Sequence, residues 1–303
     1  MEPQRTFMPA KKIESAELTI ISPLHHETVE LFSYYYSLMG NKSQITARPD
    51  FEAMAATGNK EICLLYGDQA IEFYGESLAP EKPYFYIGTQ ESSSINSYGV
   101  VETVSNPQAL FSIFPEKSVR SVLFFYEQNS IYSETMYSLI SKHLNINAIP
   151  SVKIPLLNDI SRYNTLAIKE HSLVIVLSRL PNPSFIQRLS LICNHHQTPL
   201  IVSNLHAVSY GASVGFGLHP YDSAKIIRDM VNNYRQKGLL PYSSSISIEP
   251  TILINKEALY EQGFSFQKES KQLVNLLGAT KIIEPSTREK IDAHVRLERH
   301  ALE

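Results

Sequence analysis

Apolar runs of strand length alternate with helical patterns along almost the whole chain. Residues 17–22 (ELTIIS) read as a strand, and 28–39 as a helix stopped by Gly40. Residues 62–66 (ICLLY) are a second strand, after which Gly67-Asp68 opens a short helix. A strand over 84–87 ends in Gly88-Thr89, another covers 98–104, and a helix over 107–114 stops at Pro115. The rhythm then restarts. Residues 119–126 (VRSVLFFY) are a strongly apolar strand, followed by a helix over 130–143, a strand over 148–154 and a short helix over 157–163. A strand over 173–177, a helix over 183–194 and a strand over 200–203 come next. Residues 211–217 are punctuated by glycine, 221–235 are helical, and 246–254 are extended. This βα alternation predicts parallel strands with helices on both faces. Its restart near residues 115–118 predicts two α/β units, each a doubly wound parallel sheet.

In open parallel sheets, ligands sit beyond the carboxyl ends of the strands. Those ends fall at residues 22–26, 67–69, 88–91, 126–130, 178–182 and 203–206, and they carry hydroxyls, amides and carboxylates beside glycines. Helix starts follow several of them, which puts free backbone N–H groups there for an anionic ligand group.

Composition fits this picture. A chain of 303 residues with 43% hydrophobic residues has enough apolar material for two cores. The net charge is −3, so no basic surplus exists to neutralise phosphates, and nucleic acid is not an expected partner. Cys63 and Cys193 lack metal or redox spacing and read as buried free thiols. No run approaches the roughly 18 apolar residues of a membrane span. The polar start, Met1 to Lys12, carries no apolar signal core and fits either a cytosolic start or a trimmed leader.

Motifs of catalysis do not stand out. The phosphate-cradling G-x-x-x-x-G-K-[ST], the H-E-x-x-H zinc helix and the G-x-S-x-G elbow do not occur, and Gly215-Phe216-Gly217 is half a dinucleotide fingerprint. His25-His26 and His195-His196 have no Cys, Asp or Glu at ligand spacing, so they read as solvated or capping histidines, with no metal expected. Tyr34-Tyr35-Tyr36 reads as helix packing, Asp68 and Asp222 as helix caps, and Glu127 as the polar end of a buried strand.

Several stretches carry a family likeness. Residues 198–263 contain TPLIVS, GASVGFG, YDSAKIIRDMV and EPTILINKEALYEQGF. With Phe114-Pro115, the strand ending at Tyr126 before Asn129-Ser130, and Gly67-Asp68-Gln69, they resemble the ABC-transporter substrate-binding family that includes tryptophan- and tyrosine-type receptors. In that family Pro199, Gly211, Ala212, Tyr221, Asn255, Ala258 and Gly263 would stand at recurring positions. The chain departs from it where the family often has an Asp facing a ligand ammonium: the loop here is Ser178-Arg179-Leu180-Pro181-Asn182. Gln90-Glu91 stands where the family has Asp-Pro.

The resemblance implies a type I periplasmic-binding-protein fold, with two doubly wound lobes joined by a three-crossing hinge. The N-terminal lobe would span 17–116 with about 215–243, and the C-terminal lobe 117–214 with about 244–283; residues 284–303 extend past the family's usual end and read by their own pattern as a charged helix with Ser286 as N-cap and Glu289 completing a capping box. The resemblance also implies an extracytoplasmic solute receptor that closes on a small organic ligand for an ABC permease, with aromatic or amino-acid-like compounds among the candidates. The expected contacts are His25, Asp68, Thr89, Gln90, Tyr126, Glu127, Ser130, Arg179, Asn182 and His206, with Tyr126 stacking or hydrogen-bonding and the N–H groups near Asp68 and Ser130 taking an anionic end. No cofactor and no catalytic residues are expected. A ligand-sensing ectodomain of a membrane signalling receptor is the main alternative, and a cytosolic α/β effector or enzyme a further one.

Overall fold

A computed structural model describes residues 18–22, 27–47, 62–74, 84–90, 97–104, 107–115, 118–156, 165–179, 181–237, 244–264 and 282–283. The chain begins with β1 (Leu18–Ser22), α1 (Glu27–Leu38), β2 (Ser43–Ala47), β3 (Ile62–Tyr66), α2 (Asp68–Tyr74), β4 (Tyr84–Gly88) and β5 (Ser97–Glu102). Next come α3 (Gln108–Phe111), β6 (Val122–Tyr126), α4 (Ile131–Ile146), β7 (Ser151–Pro155), α5 (Thr165–Lys169), β8 (Leu173–Leu177), α6 (Pro183–His196) and β9 (Leu200–Val202). A 3-10 turn over Leu205–Tyr210 leads to β10 (Val214–Gly217). The chain ends through α7 (Pro220–Lys237), β11 (Ser244–Ile248), β12 (Thr251–Ile254), α8 (Lys256–Glu261) and β13 (Ile282–Ile283).

Two compact units result: Met1–Val101 with Pro220–Ile246, and Glu102–His219 with Ser247–Glu303. The chain therefore changes unit after Val101, His219 and Ile246, where the sequence places crossings near 116, 214 and 244. The first change comes early because residues 104–114 bury their apolar side chains in the second unit. Val104, Ala109, Leu110, Ile113 and Phe114 share one cluster with Met136, Ile140 and Leu144 of α4.

In the first unit the strand order is β2-β1-β3-β4-β5-β11. Every pairing from β2 through β5 is parallel. β1 and β4 are buried at every position, which requires cover on both faces. Tyr35 of α1 meets Tyr221 of α7 edge-on, with centroids 5.6 Å apart, and Phe85 of β4 meets Tyr234. The aromatic triplet in α1 thus serves packing: Tyr35 and Tyr36 are buried and Tyr34 half-buried.

The second unit repeats the design with order β7-β6-β8-β9-β10-β12-β13. Alternate residues feed opposite faces. Val122, Phe124, Leu173, Ile175 and Leu177 join the cluster under α4. Leu123, Phe125, Val174 and Val176 join Phe185, Ile186, Leu189 and Cys193 of α6. β10 pairs with β12 antiparallel, the exception to the parallel pattern.

Some sequence expectations need correcting. The extended run over 246–254 is two strands in different sheets, because Glu249-Pro250 breaks it. The glycine-punctuated stretch contains a buried strand, β10. Cys193 is buried and free as expected, but Cys63 is only half-buried. Asp68 and Asp222 lie inside the first turns of α2 and α7 rather than before them, so neither is an N-cap. The helices expected over 157–163 and past residue 284, and His25-His26, lie outside the described residues.

Candidate functional site

Both sheets share the 2-1-3-4-5 order of doubly wound folds, counting strands within each unit. Such an order reverses direction between the first strand and the third. The helices leaving those two strands go to opposite faces, and the strand ends part to leave a crevice. That point is β1/β3 in the first unit and β6/β8 in the second.

In the first unit, β3 ends at Gly67, whose φ of 96° suits glycine and turns the chain into α2. Asp68 follows, buried. Its Oδ1 accepts from the Thr89 N–H at 2.6 Å and from Thr89 Oγ1 at 3.0 Å. One carboxylate oxygen thereby ties the end of β3 to the end of β4. Gly88 permits this approach, since a Cβ there would lie 2.8 Å from Asp68 Oδ1. Thr89 is buried and Gln90 exposed.

The second unit gathers more polar groups. Tyr126 ends β6 and Glu127 follows it, while Ser178 and Arg179 follow β8. Ser178 Oγ donates a hydrogen bond to Glu127 Oε1, bridging the crevice. Ser133 Oγ donates to Leu177 O at 2.6 Å, while the Glu127 N–H donates to Ser133 Oγ at 3.3 Å. Ser130 caps α4, its Oγ accepting from the Ser133 N–H. Burial pushes the Glu127 carboxyl above the usual carboxylate range, and the hydroxyls of Ser178 and Ser130 hold it back in part.

Arg179 stands beside this group. Its Nη2 lies 3.2 Å from Glu102 Oε2, and the two side chains are 13% and 3% exposed, so this is a buried ion pair. Its guanidinium also lies 4.6 Å from the centre of the Tyr132 ring. The Tyr132 hydroxyl donates to Ser203 O, and Asn204 Nδ2 donates to Arg179 O at 2.6 Å. Gly217 adds no side chain to the cluster; a Cβ there would come 3.7 Å from Glu102 Oε1.

Of the expected contacts in this unit, Tyr126, Glu127, Ser130, Arg179 and His206 come to one edge of the sheet. Lys153 Nζ lies 4.0 Å above the Tyr126 ring and is itself held by Glu134 at 2.7 and 2.8 Å. His206 is buried, its N–H donating to Asn204 Oδ1. Asn182 differs in kind: it is exposed, and its Oδ1 accepts from the N–H groups of Ser184 and Phe185 as the cap of α6. Glu102, Tyr132, Ser133 and Ser178 join this group without standing among the contacts expected from sequence. Glu102 did leave a signal, a carboxylate closing an apolar strand. The others become polar partners only through packing.

Strand order, switch points and polar strand ends define the type I periplasmic-binding-protein fold, the class in which substrate-binding proteins and LacI-type regulators share one scaffold. No protein-family model matches the chain, and no curated sequence does. Solved structures do match. The chain is similar to an ABC domain bound to L-Trp from Streptococcus pneumoniae, with TM-score 0.72 and 13% identity over 88% of this chain and 100% of that one. It is similar to a ligand-free, open substrate-binding protein with adhesive properties from Clostridium difficile, at TM-score 0.58 and 13% identity, covering 89% and 99%. A LacI-type transcriptional regulator from Rhodococcus shares the fold at TM-score 0.59 and 10% identity, covering 78% and 96%.

Proposed function

We propose that this chain is a solute-binding protein whose small organic ligand is held at the switch points. Glu127 and Arg179 supply the polar core of the site in the second unit; Asp68, Thr89 and Gln90 are the polar strand ends of the first unit, taken by itself. The observation that carries this reading is the Glu127–Ser178 hydrogen bond across the β6/β8 crevice, backed by the Arg179–Glu102 pair. A few carboxyl, guanidinium and hydroxyl groups gathered beyond the strand ends are the kind of polar set that fixes a small ligand's orientation. The bound L-Trp of the Streptococcus structure makes aromatic amino acids the first compounds to try.

The reading is of binding rather than catalysis. Ser178 is fully buried, so its hydroxyl orients Glu127 and is not presented to a substrate. Delivery to an ABC permease outside the cytoplasm is the role we assign. A ligand-responsive regulator is the second reading, favoured by the LacI-type likeness.

A thermal-shift screen of amino acids and related metabolites tests the site. A true ligand at 100 times its Kd should add about 2.7 kcal/mol and raise Tm by roughly 5 °C. E127Q should weaken that ligand tenfold or more while the protein stays folded. If no compound stabilises the chain saturably, or if E127Q binds as well as the parent, the site is wrong.

A further inference from the structure

The second unit has a cavity at the opposite edge of its sheet from Glu127 and Arg179. It lies where β6 and β7 begin and α4 ends, lined by Phe111, Phe114, Val119, Arg120, His143 and Ile149 among others. α4 has 16 residues, so about 24 Å separates its two ends. Ser130 and Tyr132 stand at the switch-point end, His143 and Asn147 at the cavity end. The cavity is thus a separate place, and a ligand in it is independent of the solute-binding reading.

Its volume is about 810 Å³, within the range of small-molecule sites. The lining has an aromatic character. The rings of Phe111 and His143 stack with centroids 5.2 Å apart and planes 13° from parallel. Phe114 and the partly buried Val119 and Ile149 extend this apolar surface into the core cluster. Among the described lining residues Arg120 is the standing cation, and no carboxylate lines the cavity with it. Burial lowers the His143 pKa, which leaves its ring uncharged at neutral pH.

The lining is fixed in place. The Arg120 N–H donates to Ser172 Oγ at 2.7 Å, and the Ser121 N–H donates to the same oxygen at 3.0 Å. Those bonds hold the backbone that presents the guanidinium. The guanidinium itself makes no hydrogen bond or ion pair among the described residues. At the end of α4, Asn147 Nδ2 donates to His143 O at 2.8 Å, and the Ile149 N–H donates to Leu144 O at 2.9 Å. Ala148 sits between them at φ 53°. A stacked aromatic wall, an apolar floor and a guanidinium with no carboxylate partner among the described residues complement a planar ring that bears a single carboxylate.

We propose that this cavity is a second ligand site, selective for small aromatic monocarboxylates. The test uses the full chain, with benzoate and indole-3-acetate as probes and benzyl alcohol as the uncharged comparison. Titration followed by the His143 imidazole resonances should show saturable shifts with both carboxylates below about 10 mM. R120Q should weaken the carboxylates about fivefold and leave benzyl alcohol unchanged. F111A should weaken all three. No movement of the His143 signals, or equal binding by R120Q and the parent chain, overturns the proposal. So does loss of binding in E127Q with R120Q unaffected, because the carboxylate would then occupy the switch point; that result would leave the solute-binding reading standing.

Discussion

At the scale of single residues, burial decides what a polar group can do. Glu127 is the sharpest case. Its folded pKa is raised, so the folded state holds the proton more tightly than the unfolded chain does. Its favourable contribution is therefore complete below the usual carboxylate range and is lost as pH rises through the raised value. E127Q carries no titrating group, so its stability relative to the parent should rise between pH 4 and pH 7.5. Urea unfolding at the two pH values measures this, and a constant difference would show that the burial of Glu127 is not felt. Arg179 behaves differently, because its charge already has a partner. R179M leaves the Glu102 carboxylate buried without its guanidinium and should cost about 2–4 kcal/mol. E102M together with R179M removes both charges and should recover much of that loss in the same assay.

Elements set the strand ends that carry the site. α4 and α6 both start at the carboxyl edge of the second sheet, capped by Ser130 and Asn182. Each cap satisfies N–H groups that would otherwise be orphans. S130A should therefore lower stability by about 1 kcal/mol. A close approach matters as much on the strand side. At Gly215 in β10, a Cβ would stand 2.8 Å from Asn204 O and 3.0 Å from Leu205 Cα, both backbone atoms. G215A must push the 3-10 turn away from the strand, at about 1–3 kcal/mol. Since Asn204 bonds Arg179 O, the same change should also weaken ligand binding at the switch point. Thermal unfolding and titration on one sample separate the two effects.

On the scale of the molecule, each unit is assembled from distant parts of the sequence. The first needs α7, whose Tyr221 and Tyr234 pack on Tyr35 and Phe85. Residues 1–101 expressed alone should remain unfolded by circular dichroism, and joining residues 220–246 through a flexible linker should restore a cooperative transition. A folded 1–101 fragment would show that α7 is dispensable to that core.

Much of this was legible in the residues. β3 and β8 occupy the very spans their apolar runs indicate, because a central strand covered on both faces is apolar along nearly its whole length. The candidate residues of the second unit were legible as strand ends for the same reason. β2 was not, since SQITA alternates without a continuous apolar run and its place at the sheet edge comes from pairing with β1. Asn182 follows the end of β8, yet its place in a loop does not reveal that the amide caps a helix.

The sequence by itself determined the alternation of strands and helices, the restart halfway along, and the polar character of the strand ends, all of which depend on neighbours within one turn or one pleat. Tertiary structure alone decided that residues 244–254 serve two sheets, that Glu102 meets Arg179 77 positions away, and that Glu127 meets Ser178. Such pairings arise when separate apolar faces are buried together, and a local pattern holds no record of which distant face will be the partner.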